Sequence, residues 1–326
     1  MSASGRTYWL TEPCRIRRED NSLRIERADN SPARIPITDV RDLVTFDHVD
    51  INTAAVSLLG RHGVTVHILD HYGNYAGAIT PAESGSSAHV LRAQVALTAD
   101  SERKVVIGRA IVAATAGNIR WALGTDLLDP ALATLTAQLA DSVTSDQIMG
   151  AEGNFRRTAW AVLDTMLPPW LRLDGRSRRP PSNAGNAFIS YVNSIVYSRV
   201  LTAIRCTPLH PAIGFLHADT DRRRNTLALD IAEPFKPVFA ERLLRRAATQ
   251  MTLRQSDFET DVGKSSLSRD GRKKVAALIR DELACTVHHR KLKRKISYEE
   301  IIHLEVLKVV RLCLEEKSYK PFRPWW

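Results

Sequence analysis

The chain predicts an α+β protein, with a small β-rich N-terminal domain over residues 1–80 and a larger all-helical domain over residues 89–326. Three observations predict it. Short stretches of alternating polar and apolar residues fill the first 80 positions, the period of half-buried strands. From Val90 onward apolar residues recur at helical spacing. Between the two lies Pro81-Ala82-Glu83-Ser84-Gly85-Ser86-Ser87-Ala88, a linker by composition.

Taken in order, Arg15–Arg18 and Leu23–Glu26 form a hairpin about Asp20-Asn21, and Ala33–Ile37 and Leu43–Phe46 are further short strands. Asp50 or Asn52 caps a helix that runs to Arg61 or His62, and Gly63 closes it. Val64–Leu69 is rich in β-branched residues and reads as a buried strand. Tyr72-Gly73-Asn74 turns it, and Tyr75–Ile79 returns as its partner. Beyond the linker, Val90 to about Leu127 reads as one helical pattern, broken at Asp126–Asp129 with Pro130. Helices follow over Ala131–Val143, Gly153–Leu167 and Asn183–Ile204. Residues Val262–Arg272 read as two strands turning at Asp270-Gly271, followed by a helix from Arg272 to about His288. Gly263-Lys264-Ser265 imitates the end of a phosphate-binding P-loop. That motif needs glycine where this chain has Phe258, so nucleotide triphosphate binding is rejected. Ser297 and Glu300 make a capping box for a last helix, Tyr298–Glu315.

With 326 residues the chain has room for two domains, and its net charge of +10 favours a polyanionic partner over a plain basic surface. Four scattered cysteines include no Cys-x-x-Cys pair, which argues against structural zinc and for a reducing compartment. The N-terminus lacks a long apolar region, and no run of 18 apolar residues occurs. A cytoplasmic protein with no membrane partner is therefore expected. The basic segment Leu171–Ser182 and the run His288–Lys295 each read either as phosphate contacts or as solvated surface, the latter run as a solvated helix end.

The chemistry concentrates in His210–Arg246. Asp230 and Glu233 are three apart, so on a helix they share a face, among Leu227, Leu229, Ile231 and Phe235. Paired carboxylates in apolar surroundings need a cation, which a divalent metal held with His217 would supply. The alternative is a structural histidine beside a solvated helix face. Pro237 would leave the Glu233 carbonyl without its helical partner and so mark a kink. Glu152, read near the start of its helix, is also where the helix dipole favours a carboxylate.

Gly214-Phe215-Leu216-His217, the block Leu229–Pro237, and Gly150-Ala151-Glu152-Gly153 followed by Asn154 and Trp160 together resemble the signature of the Cas1 family, the CRISPR-associated integrases. Asn183, Asn186-Ala187, Tyr191, Asn193 and Tyr197 resemble the family's helix before the histidine loop, and the likeness covers nearly the whole chain. The resemblance implies a metal-dependent DNA endonuclease and integrase that inserts captured fragments into a CRISPR array by 3′-hydroxyl attack on a phosphodiester. It implies Glu152, His217 and Glu233 as ligands of Mg²⁺ or Mn²⁺, with Asp230 a further ligand or a hydrogen-bond partner to one. Many members carry Asp where this chain has Glu233, and either residue can ligate. The resemblance also implies a homodimer formed through the β-rich domain, and bridging of dimers by Cas2. Within that chemistry Lys236, one turn from Glu233, is placed to hold the scissile phosphate. Arg222, Arg223, Arg224, Arg290, Lys291, Lys293 and Arg294 are candidates for the DNA backbone. The tail Tyr319–Trp326 resembles the family's and is expected to pack back on the helices. A non-catalytic DNA-binding subunit, or a nuclease with no integration role, remains an alternative reading.

Overall fold

The structure is a computed structural model and describes residues 5–28, 30–46, 48–70, 75–81, 87–217, 225–315 and 318–326. The strands β1 (Arg6–Leu10), β2 (Cys14–Glu19), β3 (Ser22–Arg27), β4 (Asn30–Pro36), β5 (Val40–Phe46) and β6 (Val49–Ile51) lead into α1 (Thr53–Arg61). Then come β7 (Thr65–Leu69) and β8 (Tyr75–Ile79). One sheet has the order β4-β3-β2-β6 and the other β1-β5-β7-β8. The expected hairpin joins β2 to β3, with Glu19 opposite Ser22 and Asp20 at a positive φ of 55°. Asn52 is the cap of α1, its side chain accepting from Ala55 N at 2.9 Å. The Tyr72–Asn74 turn lies outside the described residues. β1 and β6 carry no strand signal of their own. They form by parallel pairing with β5 and β2, partners distant in sequence.

The sheet β1-β5-β7-β8 has a core on each side. Leu43 and Val66 face a smaller cluster with Ile16, Ile25 and Leu58, while Val44, Phe46 and Leu69 join the large helical core. Successive strand residues point to opposite faces, so one strand serves both cores.

The rest of the chain is mostly helical: α2 (Ala88–Ala99), α3 (Ser101–Leu123), α4 (Asp129–Asp141), α5 (Ser145–Thr165), α6 (Ala184–Arg205), α7 (Thr226–Ala232) and α8 (Lys236–Thr249). Next come the hairpin β9 (Phe258–Asp261) and β10 (Lys264–Leu267), and α9 (Arg269–Ala284). A second hairpin, β11 (Thr286–His289) and β12 (Arg294–Ser297), precedes α10 (Tyr298–Glu315). Two small hairpins thus interrupt the helices.

Several boundaries differ from expectation for identifiable reasons. The pattern from Val90 is two helices, because Asp100 leaves the helical conformation and caps α3, accepting from Arg103 N at 3.0 Å. The β9–β10 turn is at Val262-Gly263, where Gly263 has φ 68°. Asp270-Gly271 instead lies in the first turn of α9, capped by Ser268. Gly271 is there for space: a Cβ would stand 1.9 Å from the Asp257 carbonyl oxygen. The run His288–Lys295 is a hairpin rather than a helix end, with Lys293 at φ 55°. At α10 only half of the capping box forms. Glu300 N donates to Ser297 Oγ at 3.1 Å, but the Glu300 carboxylate pairs with Arg294.

α6 is long and apolar enough by composition to cross a membrane, yet 78% of that window is buried within the protein. Its apolar character serves the core, where it packs on α7, α8, α10 and the sheet. The tail returns as expected. Phe322 stacks on Phe235 at 4.5 Å between centroids, and Trp325 Nε1 donates to the His288 carbonyl at 2.9 Å.

Candidate active site

α5 begins at a full capping box, Thr144 with Gln147, so Glu152 lies in the helix interior and not in its first turn. The dipole at a helix N-terminus therefore does not explain this carboxylate. Ile148, Ala151, Phe155 and Ala159 form the buried stripe of α5, and Glu152 and Arg156 are buried beside it, one turn apart. Arg156 Nε donates to Glu152 Oε1 at 2.7 Å.

The histidine loop is fixed from below. Gln94, fully buried on α2, donates to the carbonyls of His210 at 3.0 Å and Ile213 at 2.8 Å. Gly214 N donates to Thr226 Oγ1 at 3.0 Å, and that hydroxyl donates to the Ala212 carbonyl at 2.6 Å. A Cβ on Gly214 would stand 2.7 Å from Asp230 Oδ2, so the loop can close over Asp230 only with glycine there. Asp230 has no solvent exposure. It accepts from the backbone N–H groups of Phe215 at 2.5 Å, Leu216 at 3.0 Å and His217 at 3.2 Å, and its Oδ1 lies 2.6 Å from His217 Nδ1. With both oxygens engaged, Asp230 orients the imidazole. Facing a carboxylate, Nδ1 carries the proton, which leaves the Nε2 lone pair free.

Glu233 arrives from a break in the chain. α7 ends at Ala232, and Pro237 enters the first turn of α8, where an N–H would have no helical partner anyway. The proline thus starts a helix instead of kinking one. Asn118 on α3 fastens the break, donating to the Pro234 carbonyl at 2.6 Å and the Phe322 carbonyl at 3.0 Å. The Glu233 carboxylate is held on one oxygen by Arg156 and on the other by Lys236. Burial opposes its ionisation. The charges of Lys236 and then Arg156, with His217 also near, outweigh that and lower its pKa to about 2. Arg156 thus bridges a carboxylate of α5 and one at the α7–α8 break, and they hold its pKa above the ordinary arginine value despite burial.

Two more buried charges lie near. Glu241 on α8 is 3% exposed, and its Oε2 has no hydrogen-bond partner among the described residues. Burial raises its pKa against the opposing pull of Arg156 and Arg176. Arg176, expected to meet phosphate or solvent, turns inward to Asn186 Oδ1 at 2.8 Å and Ser190 Oγ at 2.9 Å. Burial, with Arg178 and Arg156 nearby, lowers its pKa to about 10.

The structure thus brings Glu233, Lys236 and Glu152 together around Arg156, with the oriented His217 close enough to influence Glu233. As arranged, no three His, Cys, Asp or Glu side chains among the described residues close around a common point. The guanidinium stands between the two carboxylates. Arg290, Lys291, Lys293 and Arg294 lie at the exposed β11–β12 hairpin, where Arg290 meets the Trp325 carbonyl and Arg294 pairs with Glu300. Arg222, Arg223 and Arg224 lie outside the described residues. Sequence reading missed Arg156 and Glu241. The i,i+4 spacing of Glu152 and Arg156 was the available signal for the first.

The model of the family described as "CRISPR associated protein Cas1" matches residues 7–281. A relative named "CRISPR-associated endonuclease Cas1 3", from Thermodesulfovibrio yellowstonii, is 34% identical over 325 residues, covering 98% of this chain and 100% of that protein. The solved structure of a Cas1 protein from Thermotoga maritima superposes with a TM-score of 0.87 at 26% identity, covering 96% of this chain and 99% of that one. A casposase bound to integration product shares the fold, with a TM-score of 0.85 at 20% identity over 97% of this chain and 92% of that one.

Proposed function

The chain belongs to the Cas1 family, and on that premise we propose that it is a metal-dependent DNA endonuclease and integrase acting in CRISPR adaptation. The observation that carries the reading is the pair of buried carboxylates, Glu152 and Glu233, sharing one cation beside a histidine whose free nitrogen is fixed by Asp230. Two carboxylates and one imidazole are the donors of a hard divalent ion, which suits Mg²⁺ or Mn²⁺ better than zinc. The residues fit such an ion in chemistry, and a cation, the Arg156 guanidinium, already stands between the two carboxylates. Glu152, His217 and Glu233 would hold it. When bound, it supplies Lewis-acid polarisation of a phosphoryl oxygen and helps ionise the attacking hydroxyl.

The chain's own residues do the rest. Asp230 keeps the His217 ring in one tautomer and one orientation. Lys236, one turn from Glu233 and paired with it, would hold the scissile phosphate. A DNA 3′-hydroxyl then forms a new phosphodiester as the old phosphorus–oxygen bond breaks, and no ATP is needed. The net charge of +10 supplies affinity for the DNA backbone, with the β11–β12 hairpin as one contact. The working assembly is a homodimer joined through the β-rich domain and bridged by Cas2, in the cytoplasm.

The test is His217→Ala, assayed with labelled DNA in Mn²⁺ for strand transfer and by gel shift for binding. Transfer should fall at least 100-fold, the scale of a lost charge-stabilising group. Binding should persist, because a neutral histidine adds little to the sum of phosphate contacts. Near-normal transfer would remove the metal site and favour a non-catalytic DNA-binding subunit.

A further inference from the structure

We propose that Arg156 is a built-in counter-ion that a divalent cation must displace, and that Glu241 receives the guanidinium when it leaves. The inference rests on the metal-site reading above and concerns how the site is held before the metal arrives. Glu152 lies on α5 and Glu233 in the break between α7 and α8, and two facing carboxylates in a buried setting need a cation between them. Arg156 is that cation, donating to Glu152 through Nε and to Glu233 through its terminal nitrogen. It keeps both carboxylates facing one point, so the site is organised without metal. The same guanidinium occupies the place the metal needs.

A second, independent observation says where it goes. Among the described residues Glu241 is a buried carboxylate with one unpartnered oxygen, a costly arrangement that calls for an explanation. It lies within the electrostatic reach of Arg156, and each acts on the other's ionisation. A guanidinium that leaves Glu152 and Glu233 for Glu241 ends paired with a carboxylate again. The metal then takes over two carboxylates, and Glu241 gains the partner it lacks. Arg156 and Glu241 are positioning residues: each acts through the carboxylates or through the other.

The experiment measures Mn²⁺ binding to the full chain, without DNA, by isothermal titration calorimetry, alongside melting temperature with and without Mn²⁺. Arg156→Gln should melt lower without metal, bind Mn²⁺ at least tenfold more tightly than the unmodified protein, and recover more on adding it. Glu241→Gln should bind Mn²⁺ about tenfold more weakly, with its melting temperature without metal unchanged or raised. In the double variant the Glu241 effect should vanish, because no guanidinium remains to be received. A purely structural arginine predicts the reverse sign, with Arg156→Gln binding Mn²⁺ more weakly, and that result overturns the proposal. So does a Glu241→Gln effect of equal size with and without Arg156. If Arg156→Gln does not fold, Glu241→Gln decides alone, and unchanged Mn²⁺ affinity there overturns it. An unmodified protein that binds no Mn²⁺ sinks the metal reading as well; one that binds, with variants unaltered, sinks only this exchange.

Discussion

At position 230 a single carboxylate accepts from three consecutive backbone N–H groups and the His217 ring, with no solvent exposure. Every one of those partners is a donor, so the site demands a group that only accepts. Asp230→Asn turns one oxygen into an NH₂ group facing N–H groups. The ring then loses the contact that fixes its tautomer. We expect Mn²⁺ affinity to fall about 10- to 100-fold, the usual range for losing such a supporting partner, with the fold retained by circular dichroism. Calorimetry that finds unchanged affinity would mean that Asp230 serves the loop's shape and not the histidine. That Asp230 and His217 belong together was legible in the sequence, because Gly214–His217 and Leu229–Pro237 carry the family resemblance. Which oxygen meets which partner was not, since a contact between residues separated by a loop depends on how that loop closes.

At the scale of elements, caps decided two boundaries that pattern alone got wrong. Apolar periodicity runs through Asp100 without interruption, and only its side chain accepting from Arg103 N ends one helix and opens the next. Glu152 was misplaced by a few residues because the start of α5 depends on Thr144 and Gln147, upstream of the first residue assigned to it. The β11–β12 hairpin was unreadable as strand because basic residues fill it and its pairing is with itself alone. Pro237 shows the same point with a measurable consequence. Inside a continuous helix, replacing it by alanine would stabilise by about 3 kcal/mol. In the first turn of α8 its missing N–H costs nothing, and its rigid ring restrains the unfolded chain. Pro237→Ala should therefore destabilise slightly, by about 0.4–1 kcal/mol in urea unfolding. A gain of stability would restore the kinked-helix reading.

At the scale of the whole molecule, strands and helices meet across buried surface instead of hanging on the linker. Phe46 of β5 stacks on Tyr191 of α6 at 5.3 Å between centroids. Arg199 of α6 donates to both oxygens of Asp42 on β5 at 2.7 Å, and the Asp42 side chain has no solvent exposure. His67 of β7 contacts Thr202 of α6 at 2.5 Å. Burial, then the charge of Arg199, lowers the His67 pKa to about 3, so the imidazole stays neutral in the folded protein and adds no cation to this interface. The two-part division expected at residues 81–88 is therefore one of chain connection, and the parts share a core. Limited proteolysis should cut within 81–88, where glycine and serine concentrate, yet the two fragments should elute together on size exclusion at micromolar concentration. Arg199→Met tests what holds them. It leaves the buried Asp42 with Arg41, at 3.6 Å, as its remaining cation, at a cost of up to about 3–5 kcal/mol, so the cut variant should separate under conditions where the cut parent does not. Fragments of the unmodified protein that part on cleavage would show two autonomous domains, and the buried pair between β5 and α6 would then be a minor part of what joins them.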